Sequence, residues 1–314
     1  MNDFQLIAEL QGFFSLFDSM LRWLSLHAYS KHYLLLTAIL YWTGHQVLAI
    51  RLACATLVST LVFGSLRHFF ASPRPYWLEP SMFNGVKEGG YGMPSGHTQN
   101  AITFWGLTAW SLKKTLITVM AVLIIAIIAL SRLYLGVHFP LQVLIGCSIG
   151  LGIVVIWSQC ETKTVRWLKN RSVPTRLTVV SLASLLPLLI TVSLREIGNL
   201  GDGSNSATPY AFISLLTGLL LGISASLTIK QNNTVPRLSP WLLFFTRAIP
   251  GAIITLILWQ QTSSTPTTIS QPMFIYSYCL IRGFLFSVWA ILLWPWLYRL
   301  LVTKILSKTR TSTV

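Results

Sequence analysis

Long apolar runs recur along this chain, and they constrain its fold more than any other feature. They lie near residues 33–49, 52–66, 98–112, 116–130 and 141–157, and again near 177–194, 210–229, 241–259 and 274–301. A helix that crosses hydrocarbon needs about 20 predominantly apolar residues, so several early runs must extend into polar neighbours. The expected fold is an all-α integral membrane protein with about nine transmembrane helices. Composition agrees: of 314 residues, 53% are hydrophobic and 10% charged, where a soluble domain carries about 25% charged residues. The mean hydropathy is +0.64.

The net charge of +15, from 23 Lys and Arg against 8 Asp and Glu, could point to nucleic acid. Its distribution excludes that partner, because the basic residues stand in short groups between apolar runs, as a membrane topology requires. If the run at 98 begins at the outer face, the inner connections hold Lys113, Lys114, Lys163, Arg166, Lys169, Arg171, Arg176, Lys230 and Arg237. The tail adds Arg299, Lys304, Lys308 and Arg310. The outer connections of the second half, 195–209 and 260–272, hold only Arg195. Lys and Arg in short loops favour the cytoplasm, so the C-terminus is expected to be cytoplasmic and the N-terminus outside. The four cysteines, Cys54, Cys147, Cys160 and Cys279, have no metal or disulfide spacing and read as packing residues. Residues 1–27 mix Asp3, Glu9 and Asp18 with leucines and aromatics, the pattern of an amphipathic interfacial helix rather than a cleavable signal.

Three polar segments interrupt the apolar pattern. Arg67, His68, Ser72, Pro73, Arg74 and Pro75 follow the second run; Pro94, Ser95, Gly96 and His97 precede the third; Ser131, Arg132, Gly136, His138, Pro140 and Gln142 join the fourth to the fifth. Because spans alternate in direction, all three meet at one face, outside the cytoplasm. Any one of them could be a set of snorkelling anchors, but anchors need neither histidines nor a Ser-Gly pair opening a helix. Phosphoryl transfer does need such a set: cationic donors for the equatorial oxygens, a nucleophile in line, and an acid for the leaving oxygen. Arg67, Arg74 and Arg132 carry fork-shaped donors that match phosphate. Ser95 and Gly96 open a helix whose backbone N–H groups and dipole favour an anion. His97 and His138 fill two proton-transfer or nucleophilic positions. With no acidic cluster to hold a metal, neither metal nor cofactor is expected.

In this order, the three segments resemble the signature motifs of the type 2 phosphatidic acid phosphatase superfamily, relatives of vanadium haloperoxidases and bacterial acid phosphatases. The family pattern is a basic residue, six residues and Arg-Pro; then Pro-Ser-Gly-His; then Ser-Arg, five residues, His, three residues and Asp. The resemblance covers about residues 33–157. It implies that Arg67, Arg74, Ser95, Gly96 and Arg132 bind the phosphoryl group, that His138 attacks phosphorus to form a phosphohistidine, and that His97 protonates the leaving group. Arg67 stands where lysine is usual, which keeps the charge. Gln142 stands where the family has the Asp that orients the nucleophilic His.

Pro140 suits the first turn of a helix, which puts His138 just before that helix and Gln142 in its opening turn. The Gln amide oxygen can accept the imidazole N–H, but its NH2 could equally select the wrong tautomer. A slow or inactive paralogue is one reading of this replacement. Dolichyl-diphosphate phosphatases, which resemble this segment and have Gln at the same place, support the other, and they draw the expected substrate toward polyprenyl diphosphates.

The remaining polar residues have plainer readings. His27, His45 and His68 are taken as interfacial or packing residues, and Trp77, Tyr91, Tyr134, Trp294 and Trp296 as an aromatic belt, with Tyr134 alternatively at the site mouth. Glu79, Lys87 and Glu88 read as solvated charges of a loop that gates substrate entry. Arg247 and Arg282 are intramembrane charges, hence functional candidates or snorkelling anchors. Gly146 and Gly150, four apart with Gly152, suit helix packing, as does the pair Gly218 and Gly222.

The expected organisation is an interfacial helix (1–27), a phosphatase core (28–160) and a four-span extension (161–314). The expected activity is hydrolysis of a lipid phosphomonoester or diphosphate held in the bilayer, at an extracytoplasmic site of a bacterial inner (plasma) membrane. A lipid-linked phosphotransferase shares every motif, and a non-catalytic lipid binder or transporter would share the arginines alone.

Overall fold

The computed structural model describes residues 2–176, 239–263 and 272–311, with isolated positions between 178 and 216. The expected spans at 177–194 and 210–229, and the pair Gly218 and Gly222, therefore lie outside the described residues or almost wholly so. Secondary structure among the described residues is helical. The first unit contains α1 (Asp3–Phe13), a 3-10 turn (Ser15–Phe17) and α2 (Asp18–His27), where one interfacial helix was expected. Then come α3 (Ser30–Trp42), α4 (Gln46–Phe70), the short α5 (Pro75–Leu78), α6 (Gly96–Leu112), α7 (Thr115–Tyr134) and α8 (Pro140–Lys169). The chain divides into two compact units, one comprising residues 1–34, 52–170 and 186–209, the other 35–51, 171–185 and 210–314.

Among the described residues, five helices are long and apolar enough to cross a membrane: Gln46–Arg67, Thr115–Tyr134, Pro140–Lys169, Trp241–Gln260 and Ser277–Thr303. The protein is an integral membrane protein. Its outward surface fits that solvent, since α7 exposes Leu116, Val119, Val122 and Leu123, which lipid tails can cover without cost.

The inside of the first unit holds a row of polar side chains. Helix α6 carries Gln99, Asn100 and Thr103 on one face, all buried. Such groups need partners at membrane depth, and their donors find them on α4 and α3, while Gln99 Oε1 and Asn100 Oδ1 stay buried without one. Gln99 Nε2 donates to the Ser59 carbonyl (2.7 Å), Thr103 Oγ1 to Ser59 Oγ (3.2 Å), and Asn100 Nδ2 to Thr60 Oγ1 (3.2 Å) and Ser30 Oγ (2.8 Å). Helix α8 packs against the other side. A Cβ at Gly146 would come within 2.6 Å of the Ser95 carbonyl, and one at Gly150 within 2.7 Å of that of Gln99. These two glycines let the helices that end in the second and third polar segments approach closely.

The second unit contains Pro240–Leu243, a π turn (Phe244–Ala248) and α9 (Ile249–Ser263), then α10 (Pro272–Val288), a second π turn (Trp289–Leu293) and α11 (Trp294–Thr311). Its core is aromatic: Trp42, Ala248 and Trp294 pack together, with Trp289 and Phe244 around them.

Candidate active site

Local structure aims each polar segment at one place. Arg74 precedes α5, where Pro75 occupies the first turn. Ser95 is the N-cap of α6, its N–H donates to the Gln142 carbonyl (3.0 Å), and its Oγ lies 3.1 Å from Thr98 Oγ1. Pro140 opens α8 as expected. Gly136, with φ +63°, makes the reversal between α7 and α8 in the left-handed region that glycine tolerates.

At the third segment the ambiguity of Gln142 resolves. Its Oε1 accepts from Phe139 N (3.1 Å) and lies 3.2 Å from His138 Nδ1. Its Nε2 donates to Ser72 Oγ (3.0 Å) and to the Pro73 carbonyl (2.8 Å). A carbonyl only accepts and a backbone N–H only donates, so the amide can stand in one orientation. His138 must then carry its proton on Nδ1, leaving Nε2 with a lone pair. That nitrogen lies 3.4 Å from Arg74 Nη1. His138 is buried, and burial, Arg74 and Arg132 hold its pKa well below the ordinary imidazole value, so the ring is neutral.

The arginines converge around the loop that precedes α6. Arg74 is wholly buried, with Nε on the Gly90 carbonyl (2.7 Å), Nη1 on that of Val137 (2.8 Å), and Nη2 on those of Gly89 (3.2 Å) and Tyr91 (3.3 Å). Arg67 Nη1 reaches the same Gly89 carbonyl (3.1 Å) while its guanidinium stacks over the Phe63 ring. Arg132, also wholly buried, donates to Glu88 Oε1 (3.2 Å) and to Ser131 Oγ (3.3 Å). His97 Nε2 lies 3.8 Å from the same Glu88 oxygen. The structure thus brings Arg67, Arg74, Ser95, His97, Arg132, His138 and Gln142 into one connected cluster. At Gly96, the space a Cβ would take is filled by the Phe63 ring, at 2.7 Å, so packing as well as anion approach calls for glycine there.

Three buried side-chain nitrogens of this cluster, Arg67 Nε, His97 Nε2 and Arg132 Nη2, have no hydrogen-bond partner. A buried polar group left without a partner costs about 1–3 kcal/mol, and three in one cluster suit an anion that could meet several of them.

Two participants were not found in the sequence. Glu88, read as a solvated loop charge, is buried instead. It accepts from Tyr29 Oη (3.0 Å) as well as Arg132. Its one signal was an acid placed between the first and second polar segments in a chain with only 8 acids. Tyr29 had no signal at all. Tyr134 stands neither in a belt nor at a mouth: it is buried, with its hydroxyl on Asp18 Oδ1 (2.8 Å).

The comparisons with known proteins fall on the same part of the chain. The family model described as the PAP2 superfamily matches residues 48–166. Phosphatidylglycerophosphatase B of Bacillus subtilis (strain 168) is 35% identical over 123 residues, which cover 35% of this chain and 60% of that protein. A protein of Escherichia coli K12 provisionally named undecaprenyl-diphosphatase YbjG is 32% identical over 150 residues, 43% of this chain and 72% of the relative. Lipid phosphate phosphatase delta of Arabidopsis thaliana is 26% identical over 140 residues, and the chain spans only 34% of its length. No solved structure matches significantly.

Proposed function

The chain belongs to the PAP2 superfamily, and on that premise we propose that it is a metal-independent lipid phosphatase acting through a phosphohistidine. The observation that carries this reading is the state of His138: Nδ1–H held by Gln142, and an Nε2 lone pair beside Arg74. An imidazole prepared in this way is a nucleophile waiting for an anion.

The steps follow from the geometry. Arg67, Arg74 and Arg132 hold the equatorial oxygens, with the N–H groups of the first turn of α6 beside them. The Nε2 lone pair of His138 forms a bond to phosphorus as the bond to the leaving oxygen breaks. That oxygen takes the proton of His97 Nε2. Water then attacks phosphorus and gives a proton back to His97 Nε2, while the P–N bond breaks and returns its electron pair to His138. Gln142 acts as the orienting acceptor throughout, in place of a carboxylate.

The substrate we favour is a polyprenyl diphosphate, with phosphatidic acid, phosphatidylglycerophosphate and sphingoid phosphate as the nearest alternatives. The phosphatase names of the relatives support the lipid class. The lipid tail stays in the bilayer while the head group enters the arginine cluster. The basic residues support nine spans, an extracytoplasmic site and a cytoplasmic C-terminus in a bacterial inner membrane, with core and extension meeting near residue 160.

Phosphate release from these four lipids, with chelator present, tests the reading. Wild type should release phosphate from at least one. Silence across the panel, or a strict metal requirement, would sink it. Labelled phosphate passing to an added lipid or sugar hydroxyl rather than to water would move the enzyme to the phosphotransferases.

A further inference from the structure

The residues at which the family is matched begin at 48, yet a segment well before them reaches into the cluster. Ser25, at the end of α2, is buried, and its backbone favours the charged form of the His97 ring, though less than burial and the arginines oppose it. Four residues on, the edge of the Tyr29 ring meets the His97 ring at a centroid distance of 4.4 Å and an interplanar angle of 67°. The hydroxyl of the same tyrosine donates to Glu88 Oε1 at 3.0 Å, the oxygen that lies 3.8 Å from His97 Nε2.

His97 Nε2 therefore faces the Glu88 carboxylate at 3.8 Å without a hydrogen bond to it, and Tyr29 holds the same carboxylate oxygen. Burial and then Arg132, Arg74 and Arg67 hold the His97 pKa well below the ordinary imidazole value, so the imidazolium that an acid for the leaving oxygen must be depends on the nearby Glu88 carboxylate to oppose them. The segment is itself anchored to the rest of the site. Arg22 donates to the backbone oxygen and side chain of Asn84, and Asp18 accepts from both Arg22 (2.7 Å) and Tyr134 Oη (2.8 Å). Gln11 Nε2 reaches the carbonyls of Met82 (3.1 Å) and Tyr134 (3.0 Å).

We propose that Tyr29 is a positioning residue for the general acid His97, acting through Glu88, and that residues 18–29 are part of the catalytic apparatus rather than only a membrane-surface helix. The inference rests on the phosphatase reading above. Burial and the neighbouring carboxylate push the Tyr29 hydroxyl up to about 12, so it remains a donor at any working pH.

The test is Tyr29→Phe in the full-length protein, which keeps the ring and removes the hydroxyl. Two substrates are compared: phosphatidic acid, whose alkoxide must leave with a proton, and p-nitrophenyl phosphate, whose phenolate leaves without one. The expected result is a kcat loss of about tenfold on phosphatidic acid, a fraction of the roughly 10²–10⁴ that acid–base catalysis supplies. KM stays within about twofold, and p-nitrophenyl phosphate loses less than about twofold. A merely structural tyrosine would depress both substrates alike, and that outcome overturns the proposal. In a Glu88→Gln background, Tyr29→Phe should add little, because residues acting through one another are not additive; additive losses overturn it too. A wild type that turns over neither substrate defeats the phosphatase reading and this inference with it, whereas equal losses in a working enzyme defeat the inference alone.

Discussion

The first unit buries two arginines completely and the second half-buries two, and the company those arginines keep separates a site from a fold. In the first unit, Arg74 and Arg132 are wholly buried among backbone carbonyls, a glutamate and two histidines. In the second, Arg282 lies over the Trp259 ring at 4.0 Å with one contact to the Trp259 carbonyl (3.4 Å), and Arg247 lies over the Tyr298 ring at 5.6 Å. A guanidinium on an aromatic face gains a modest cation–π attraction and covers apolar surface with its stem. No histidine or carboxylate is placed beside either by the described contacts. A buried charge is thus a weak pointer by itself; a buried charge beside a neutral, oriented imidazole is a strong one.

That contrast can be broken at several points. The largest effect is expected from His138→Ala, which removes the nucleophile and should abolish phosphate release; retained turnover would reassign the reaction. Next come the arginines. Arg132→Ala should lower kcat/KM by about 10²–10³, the scale of losing one preorganised oxyanion donor, while Arg282→Ala stays within about twofold. Comparable losses at both positions would erase the distinction between the two units.

Gln142 refines the comparison inside the site. Gln142→Ala removes both the acceptor for His138 and the bonds to Ser72 and Pro73, and should cost about 10²-fold, below the four decades lost with the orienting carboxylate of a serine protease. Gln142→Asp should give no gain, because the shorter carboxylate cannot donate to the Pro73 carbonyl. A large gain would mean the natural enzyme is impaired.

The smallest effect is in the pH profile. His138 must be neutral to attack, and burial together with Arg74 and Arg132 lowers its pKa. The neutral form therefore persists as pH falls through the ordinary histidine range, and the acid limb of kcat/KM should lie below the ordinary histidine value of about 6.5. An acid limb at or above 6.5 would show that the site does not suppress protonation.

Stability offers a check of a different kind. A side chain at Gly146 would press on the Ser95 carbonyl, and overpacking of this sort costs about 1–3 kcal/mol. Gly146→Val should lower the thermal midpoint and disturb the second and third segments together.

Much of the molecule was legible along the chain because the relevant physics is local. Hydropathy marked the runs at 52–66, 116–130 and 141–157, which lie within the membrane-length helices Gln46–Arg67, Thr115–Tyr134 and Pro140–Lys169, since the cost of a residue in lipid hardly depends on its neighbours. Pro140 opened α8 because a fixed φ and a missing N–H suit only a first turn. The spacing of Arg67, Arg74, His97, Arg132 and His138 carried the family resemblance. The structure alone decided which long-range partners these groups chose. Gln142 could have faced His138 with oxygen or nitrogen until the Pro73 carbonyl, 69 positions away, fixed its orientation. Glu88 and Tyr29 entered the site only because a loop and the turn after α2 fold back onto α6. Partner choice at such separations depends on where backbone carbonyls end up, and no local periodicity encodes that.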